Sequence, residues 1–274
     1  DVSADGQVIP GTLRDVVDTV DGRDVTLTLD LDLQTYVQQK LEKAKANSKA
    51  SGAEAVVLDA ATGQVLAMAN TDTVDPNKNV EDQLDEGKDF ENRSVSHPYE
   101  PGSVAKVVTA AAALQEGVTT PDEVHQVPGS IDMAGVTVND AWEHGTEPYT
   151  TTGIFGKSSN VGTLMIADKL GQEKYAEYLK KFGLGNTTGV ELPNESAGSV
   201  PDLEQWSGGT FANLPIGQGQ SWTTLQMASV YQTLANGGER IEPRIIDSVK
   251  GPDGKDEKLE EPKKTQVLSP ETAK

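Results

Sequence analysis

The sequence predicts an α/β (α+β) fold, an antiparallel sheet flanked by helices, on three observations. Two short apolar runs, residues 55–59 and 64–69, are separated by Ala60-Ala61-Thr62-Gly63, the pattern of a β-hairpin with glycine in its turn. Residues 103–115 are rich in Val, Ala and Leu, contain no Gly or Pro, and run into Glu116-Gly117, which reads as a buried helix with a glycine stop. Apolar-periodic stretches over 161–170, 172–182 and 223–235 also end at Gly or Asn-Gly, the mark of further helices.

Taken in order, residues 1–24 are polar and rich in Gly and Asp, and read as the end of a preceding module or a linker. One domain is expected over 25–274. Val25, Leu27, Leu29 and Leu31 alternate with polar residues as in a half-buried strand, and Asp32 can cap a helix with Leu33, Tyr36, Val37 and Leu41 on one face. After the hairpin, residues 70–93 are almost entirely polar and predict a long surface loop. Glu100-Pro101-Gly102 is a turn that aims the chain into the apolar helix. On the 172–182 helix, Tyr175, Tyr178, Leu179 and Phe182 share a face. Residues 244–250 predict a strand entering a turn at Gly251-Pro252-Asp253-Gly254, followed by a charged, solvated stretch over 255–264.

With 23 basic against 43 acidic residues, the chain carries a net charge of −20, which repels phosphate backbones and excludes nucleic acid as an expected partner. The absence of cysteine excludes disulfides and thiol catalysis. No run approaches the roughly 20 apolar residues that cross a bilayer. Position 1 is Asp, so any signal or anchor segment is expected upstream or already removed.

Ser103-Val104-Ala105-Lys106 is the one S-x-x-K of the chain, on the first turn of the apolar helix. Positions i and i+3 share a helix face, so Lys106 Nζ is expected to reach Ser103 Oγ. A serine hydroxyl becomes a nucleophile when a neighbouring base takes its proton, and a lysine does so only when neutral. Burial among Val and Ala and the positive end of the helix dipole both disfavour the ammonium. Lowering a lysine to near 7 corresponds to roughly 4 kcal/mol. A chance S-x-x-K is expected roughly once in a chain this long, so a second constellation is required. Ser158-Ser159-Asn160, the one S-x-N, supplies it at the start of the 161–170 helix, although a capping cluster alone would explain those residue types. Gly156-Lys157-Ser158 resembles the end of a phosphate-binding loop, but that pattern wants Gly where Thr151 stands, so nucleotide binding is rejected. His97, His125 and His144 lack paired spacing, so metal binding is not expected and they read as surface or hydrogen-bonding residues.

Together these residues resemble the penicillin-binding proteins, whose signature is S-x-x-K, S-x-N and K-T-G. The likeness covers nearly the whole chain: the strand and helix over 25–39, the hairpin around Gly63, Asn92-Arg93-Ser94-Val95 leading to Tyr99-Glu100-Pro101-Gly102-Ser103, and Ile216-Gly217-Gln218-Gly219 before a helix are similar to class B transpeptidases. Trp142-Glu143-His144-Gly145 and Phe155-Gly156-Lys157-Ser158-Ser159-Asn160 resemble the septal, division-associated type of actinobacteria.

The resemblance implies a peptidoglycan D,D-transpeptidase that cross-links D-Ala-D-Ala stem peptides and is acylated by β-lactams. Ser103 would be the nucleophile and Lys106 its proton acceptor. Ser158 would relay a proton to the departing amine, Asn160 would hold the acyl amide, and Gly217 would line the substrate site. No cofactor is implied. Residues 1–24 would end a pedestal module, and the protein would face outward from the plasma membrane on an upstream anchor, with membrane proteins of the division machinery as partners. K-T-G is absent: the nearest match, Lys264-Thr265-Gln266, lacks the glycine, and the chain stops at Lys274 before the family's third-motif strand, so a truncated domain is expected. A β-lactam hydrolase or sensor of the same fold, told apart by its deacylation rate, and a non-catalytic wall-binding module, told apart by failure to react with β-lactams, are the rival readings.

Overall fold

A computed structural model describes residues 3–7, 9–11 and 19–274. The linker expected over 1–24 falls partly outside the described residues. The first strand, β1 (Asp24–Leu27), is shorter than the expected 25–31 run and is exposed along its length. Helix α1 (Leu31–Ser48) is capped by Asp30, not by Asp32: Asp30 Oδ1 accepts from Leu33 N at 2.8 Å, and Asp32 lies within the first turn. The apolar face expected on α1 is not a core face, since none of its residues is buried. The helix docks instead through amides. Gln34 Nε2 donates to Met68 O at 3.0 Å while Met68 N donates to Gln34 Oε1 at 2.8 Å, so a side chain occupies the place of a strand partner.

The hairpin forms as predicted, with β2 (Glu54–Leu58) antiparallel to β3 (Val65–Asn70). Within the expected 70–93 loop stands a short helix, α2 (Val80–Asp85), held by the buried Gln83, whose Oε1 accepts from Asp75 N at 2.8 Å and whose Nε2 donates to Asp75 O and Asn79 O. Such a polar anchor leaves no apolar period to read. A single turn, α3 (Arg93–Ser96), precedes the helix expected at 103–115, which opens as a 3₁₀ turn (Gly102–Ala105) and continues as α4 (Lys106–Gln115). Four short strands unmarked in the sequence reading follow: β4 (Val124–Val127), β5 (Ser130–Met133), β6 (Val136–Asn139) and β7 (Glu147–Thr150), pairing β4 with β7 and β5 with β6. Next come α5 (Thr151–Gly156), α6 (Asn160–Leu170), α7 (Gln172–Lys181) and α8 (Thr224–Ala235), the last with Thr223 and Gln226 in a reciprocal capping box. Strands β8 (Glu239–Ile241), β9 (Ile246–Lys250) and β10 (Lys264–Gln266) and helix α9 (Pro270–Ala273) complete the described chain.

The chain divides into two compact units, residues 1–27 with 246–260, and residues 28–245 with 261–274. In the first, β1 pairs antiparallel with β9, Asp24 opposite Lys250, and Arg23 Nε meets Glu257 Oε1 at 2.6 Å. In the second, the expected antiparallel pairing holds but is spread over separate two-stranded ladders. Its core centres on α4. Ala105, Val108 and Ala112 pack with Tyr175, Tyr178 and Leu179 of α7, Val230 of α8, and Trp222, while Ala113 joins Ile154, Val161 and Ile166 in a neighbouring cluster. Burying small side chains on α4 lets its neighbours approach closely and fixes its N-terminus in place. Among the described residues no helix is long and apolar enough to cross a membrane.

Candidate active site

Ser103 stands on the 3₁₀ turn that opens α4, and its position is set by backbone contacts on the preceding segment. Tyr99 and Trp222 exchange two backbone hydrogen bonds of 3.0 Å, and Gly102 N donates to Gly217 O at 3.1 Å. Gly217 has φ +86°, and a Cβ there would sit 1.9 Å from Gly102 O, so only glycine admits this approach. Glu100 Oε1 accepts from Gly219 N at 2.9 Å. The turn over 217–222 therefore clamps the residues just before the serine. Gly217, expected to line a substrate site, is found as the backbone partner of Gly102. The Ser103 side chain is exposed, and among the described residues its hydroxyl makes no hydrogen bond.

Lys106, one turn further on, is buried at the first residue of α4. Its Nζ donates to Ser158 O at 2.7 Å, to Asn160 Oδ1 at 2.7 Å and to Ser158 Oγ at 3.1 Å. The expected contact with Ser103 Oγ is absent from its hydrogen bonds; the ammonium turns across to the S-x-N segment, where three oxygens offset its desolvation. Burial pulls its pKa from 10.5 down to about 8, against an opposing pull from the Asp140 carboxylate.

The S-x-N segment is the joint between α5 and α6. Ser158 has φ +57°, a strained conformation for a non-glycine residue, which turns its carbonyl toward Lys106. Ser159 is the N-cap of α6, its Oγ accepting from Gly162 N at 2.9 Å. The capping and functional readings of this triplet are thus divided among its members: the middle residue caps, and the outer two face Lys106. Asn160 Nδ2 donates to Asn139 O at 3.1 Å, so the amide that accepts from Lys106 is oriented by β6.

Two residues that the sequence reading did not single out or read as ordinary lie behind this joint. Asp140 is buried and accepts from Ser159 Oγ at 2.7 Å, Val161 N at 3.0 Å and His144 Nε2 at 3.0 Å. His144 is no surface residue; its side chain is 3% exposed and stacks on Trp142 with ring centroids 5.3 Å apart. His125 is also buried, bonded to Thr151 Oγ1 at 2.9 Å, and burial lowers its pKa; His97 is exposed. Lys264-Thr265-Gln266 forms β10, paired with β8 and remote in bonding from Lys106: Lys264 meets Glu239 and Gln266 reaches Gly237 and Leu268 carbonyls. Of two cavities of about 600 Å³, one is lined by Glu100, Asn213, Gln218 and Gly219, and the other by Asn139, Asp140, Trp142, Glu143 and His144.

Residues 53–274 match the penicillin binding protein transpeptidase domain family. The whole chain is 58% identical to penicillin-binding protein PbpB of Mycolicibacterium smegmatis over 274 residues, covering 42% of that protein. Over 222 residues, 81% of this chain and 37% of the relative, it is 34% identical to peptidoglycan D,D-transpeptidase FtsI of Escherichia coli. The crystal structure of penicillin-binding protein 3 from Mycobacterium tuberculosis in complex with aztreonam superposes with a TM-score of 0.91 at 56% identity, covering 95% of this chain and 58% of that one. The chain spans about two fifths of the length of the curated relatives it matches.

Proposed function

The chain belongs to the penicillin-binding protein transpeptidase family, and from that premise we propose that it is the catalytic part of a peptidoglycan D,D-transpeptidase. The observation that carries this reading is the convergence of Lys106 Nζ on Ser158 and Asn160 one turn from an exposed, unengaged Ser103 hydroxyl. A neutral Lys106 has two N–H donors for its two carbonyl-type acceptors, Ser158 O and Asn160 Oδ1, which leaves its lone pair for a hydroxyl proton.

Ser103 Oγ attacks the carbonyl between the two D-alanines of a stem peptide and its proton passes to Lys106. When the C–N bond breaks, the proton returns through Ser158 Oγ to the departing D-alanine amine, leaving an ester on Ser103. The amine of a second stem peptide then attacks the ester, gives up its proton along the same route, and restores the serine. Asn160 holds the acyl amide, and Gly217 holds the turn that presents the nucleophile. A β-lactam ring opens on Ser103 by the first of these steps and keeps its leaving group tethered. The D,D-transpeptidase and penicillin-binding names of the relatives support this substrate class. We place it in septal wall synthesis, at the outer face of the plasma membrane among membrane proteins of the division machinery, on the resemblance of Trp142-Glu143-His144-Gly145 and Phe155-Gly156-Lys157-Ser158-Ser159-Asn160 to the division-associated type. On this reading residues 1–24 end a preceding module and 25–274 belong to the catalytic domain.

The test is intact-mass analysis of the full-length protein after incubation with a fluorescent penicillin. The wild type is expected to gain one adduct and Ser103→Ala none, with both proteins equally folded. Undiminished labelling of the variant would place the nucleophile elsewhere.

A further inference from the structure

A threonine inside a helix commonly turns its hydroxyl back to the carbonyl four residues earlier. Thr35, Thr163 and Thr233 do so here, donating to Leu31 O at 2.8 Å, Ser159 O at 2.6 Å and Ser229 O at 2.9 Å. Thr109 does not. It lies on α4 one turn beyond Lys106, fully buried, and its Oγ1 donates at 3.0 Å to Pro215 O, 106 residues away in the sequence. Pro215 belongs to a 3₁₀ turn (Leu214–Ile216) that leads directly into Gly217. The carbonyl before it, Leu214 O, is held by both Tyr175 and Gln220. Pro215 is also buried, and among the described residues its carbonyl has Thr109 as its only donor. Removing that hydroxyl leaves a buried oxygen unpaired, so the turn gains by moving away from α4 to find another donor.

We propose that Thr109 is a positioning residue of this site: its hydroxyl holds the 214–217 turn against α4, and so sets where Gly217 meets Gly102 and where Ser103 stands. The proposal rests on the transpeptidase reading for its catalytic meaning, though not for its geometry. Positions 106 and 109 share a helix face, and each makes a long-range tie. Lys106 joins α4 to the α5–α6 joint, and Thr109 joins α4 to the turn behind the serine. The second tie closes a ring. From Thr109 it crosses to Pro215 O, runs two residues along the chain to Gly217, returns through the 3.1 Å bond from Gly102 N to Gly217 O, and passes Ser103 on its way back into α4. The nucleophile and its base therefore share one frame with the turn. Without the Thr109 hydroxyl, no hydrogen bond among the described residues joins α4 to the 214–217 turn, and the ring is open.

The variants are Thr109→Val, which keeps the shape without the donor, and Thr109→Ser, which keeps the donor. Stopped-flow acylation of the full-length protein by a fluorescent penicillin separates non-covalent affinity from the acylation rate constant. Hydrogen exchange, read by mass spectrometry on peptides spanning residues 99–104, follows the Gly102 amide. Thr109→Val is expected to lower the rate constant about tenfold with affinity within about twofold, less than the roughly 10²-fold that a displacement of about 1 Å can cost. It is also expected to speed exchange at Gly102 about tenfold beyond any change in the amides of α8, which report overall stability. Thr109→Ser is expected to stay within about twofold of wild type in both measurements. A purely structural role would leave the folded variant acylating normally and would speed exchange in α8 as much as at Gly102. Should Thr109→Val fail to fold, Thr109→Ala, which also lacks the donor and forces no overlap, takes its place in both measurements. A wild-type rate constant in the folded donor-free variant, or an equal loss in Thr109→Ser, overturns the proposal. Exchange reads the turn without turnover, so wild-type protein that never acylates would sink the transpeptidase reading while the Gly102 amide still decides whether Thr109 holds the turn.

Discussion

Lys106 Nζ and Asn160 Oδ1 lie 2.7 Å apart, joining the first residue of α4 to the first residue of α6. Two helix N-termini are thereby joined at a buried amine. Each macrodipole presents its positive end there, and that field together with burial weighs against the ammonium form. With Asn160 Oδ1 and Ser158 O each taking one N–H of Lys106, the third position at Nζ faces the Ser158 hydroxyl at 3.1 Å.

Replacing Lys106 by Arg separates binding from proton transfer. A guanidinium still donates to Ser158 O and Asn160 Oδ1, but it stays protonated and cannot accept the serine proton. Acylation by a β-lactam is expected to fall by about 10²- to 10⁴-fold, the usual contribution of a positioned base, with non-covalent affinity largely kept. Stopped-flow acylation over a range of inhibitor concentrations resolves the two. A near-normal acylation rate constant would show that Lys106 is not the base.

The pH dependence follows from the same residue. Only neutral Lys106 takes the proton, so acylation is expected to rise with pH through a midpoint of about 8. Stability shifts in the same direction. The unfolded chain holds this proton up to about 10.5 and the native state only to about 8, so between those values unfolding takes up a proton and rising pH favours the fold. Below about 8 the cost of the buried charge is present in full, about 3 kcal/mol. A Lys106→Met variant should flatten this dependence in melting curves taken from pH 7 to 11; an identical slope would mean that the lysine is not the group responsible.

The S-x-x-K spacing was legible because a helix repeats, and the apolar run made α4 visible. The hairpin was legible for a similar reason, since Gly63 punctuates two apolar runs. What Lys106 bonds to was not legible. Its partners lie 52 and 54 residues away, and no local period connects them. The i+3 geometry suggested Ser103, but three oxygens on the α5–α6 joint satisfy a buried ammonium better than one exposed hydroxyl does. His144 looked isolated because Asp140 precedes it in a loop, where a four-residue spacing carries no facial meaning. The cap on α1 moved from Asp32 to Asp30 because the capping oxygen must reach the amide three residues on, and Leu33 begins the bonded turn. The strands β4 to β7 are four residues each, too short for alternation to stand out.

Tyr175 tests how firmly the turn behind the nucleophile is anchored. Its ring is wholly buried, and its hydroxyl donates to Leu214 O at 2.9 Å, just before the 217–222 clamp. Gln220 Nε2 donates to the same carbonyl at 2.8 Å, so Tyr175→Phe leaves that oxygen with one partner. A loss of about 1 kcal/mol is expected. In a domain of this size that lowers Tm by about 2–4 °C. Differential scanning calorimetry measures it, and acylation should stay within about twofold of wild type. A collapse of acylation at unchanged Tm would mean that the hydroxyl acts on the site directly.

Gly217→Ala should damage acylation more than its cost in stability explains. The backbone there has φ +86°, which alone strains an alanine, and the new Cβ would lie 1.9 Å from Gly102 O and 2.5 Å from Gly102 C. Those are backbone atoms, so no rotamer change relieves the overlap. The 217 turn and Gly102 must separate, which breaks the Gly102 N to Gly217 O bond and shifts Ser103, the next residue. A displacement of about 1 Å at a nucleophile can cost about 10²-fold in rate. Gly219→Ala supplies the comparison, because its φ of +72° imposes similar backbone strain while its Cβ would meet nothing nearer than Leu214 Cδ2 at 3.9 Å. Both variants are expected to lose about 1–3 kcal/mol from strain. Only Gly217→Ala should lose acylation by about two orders of magnitude, measured as the second-order rate constant with a fluorescent penicillin. Equal rates in the two variants would show that Ser103 is placed by α4 alone and that the contact between Gly102 and Gly217 serves the fold without serving the nucleophile.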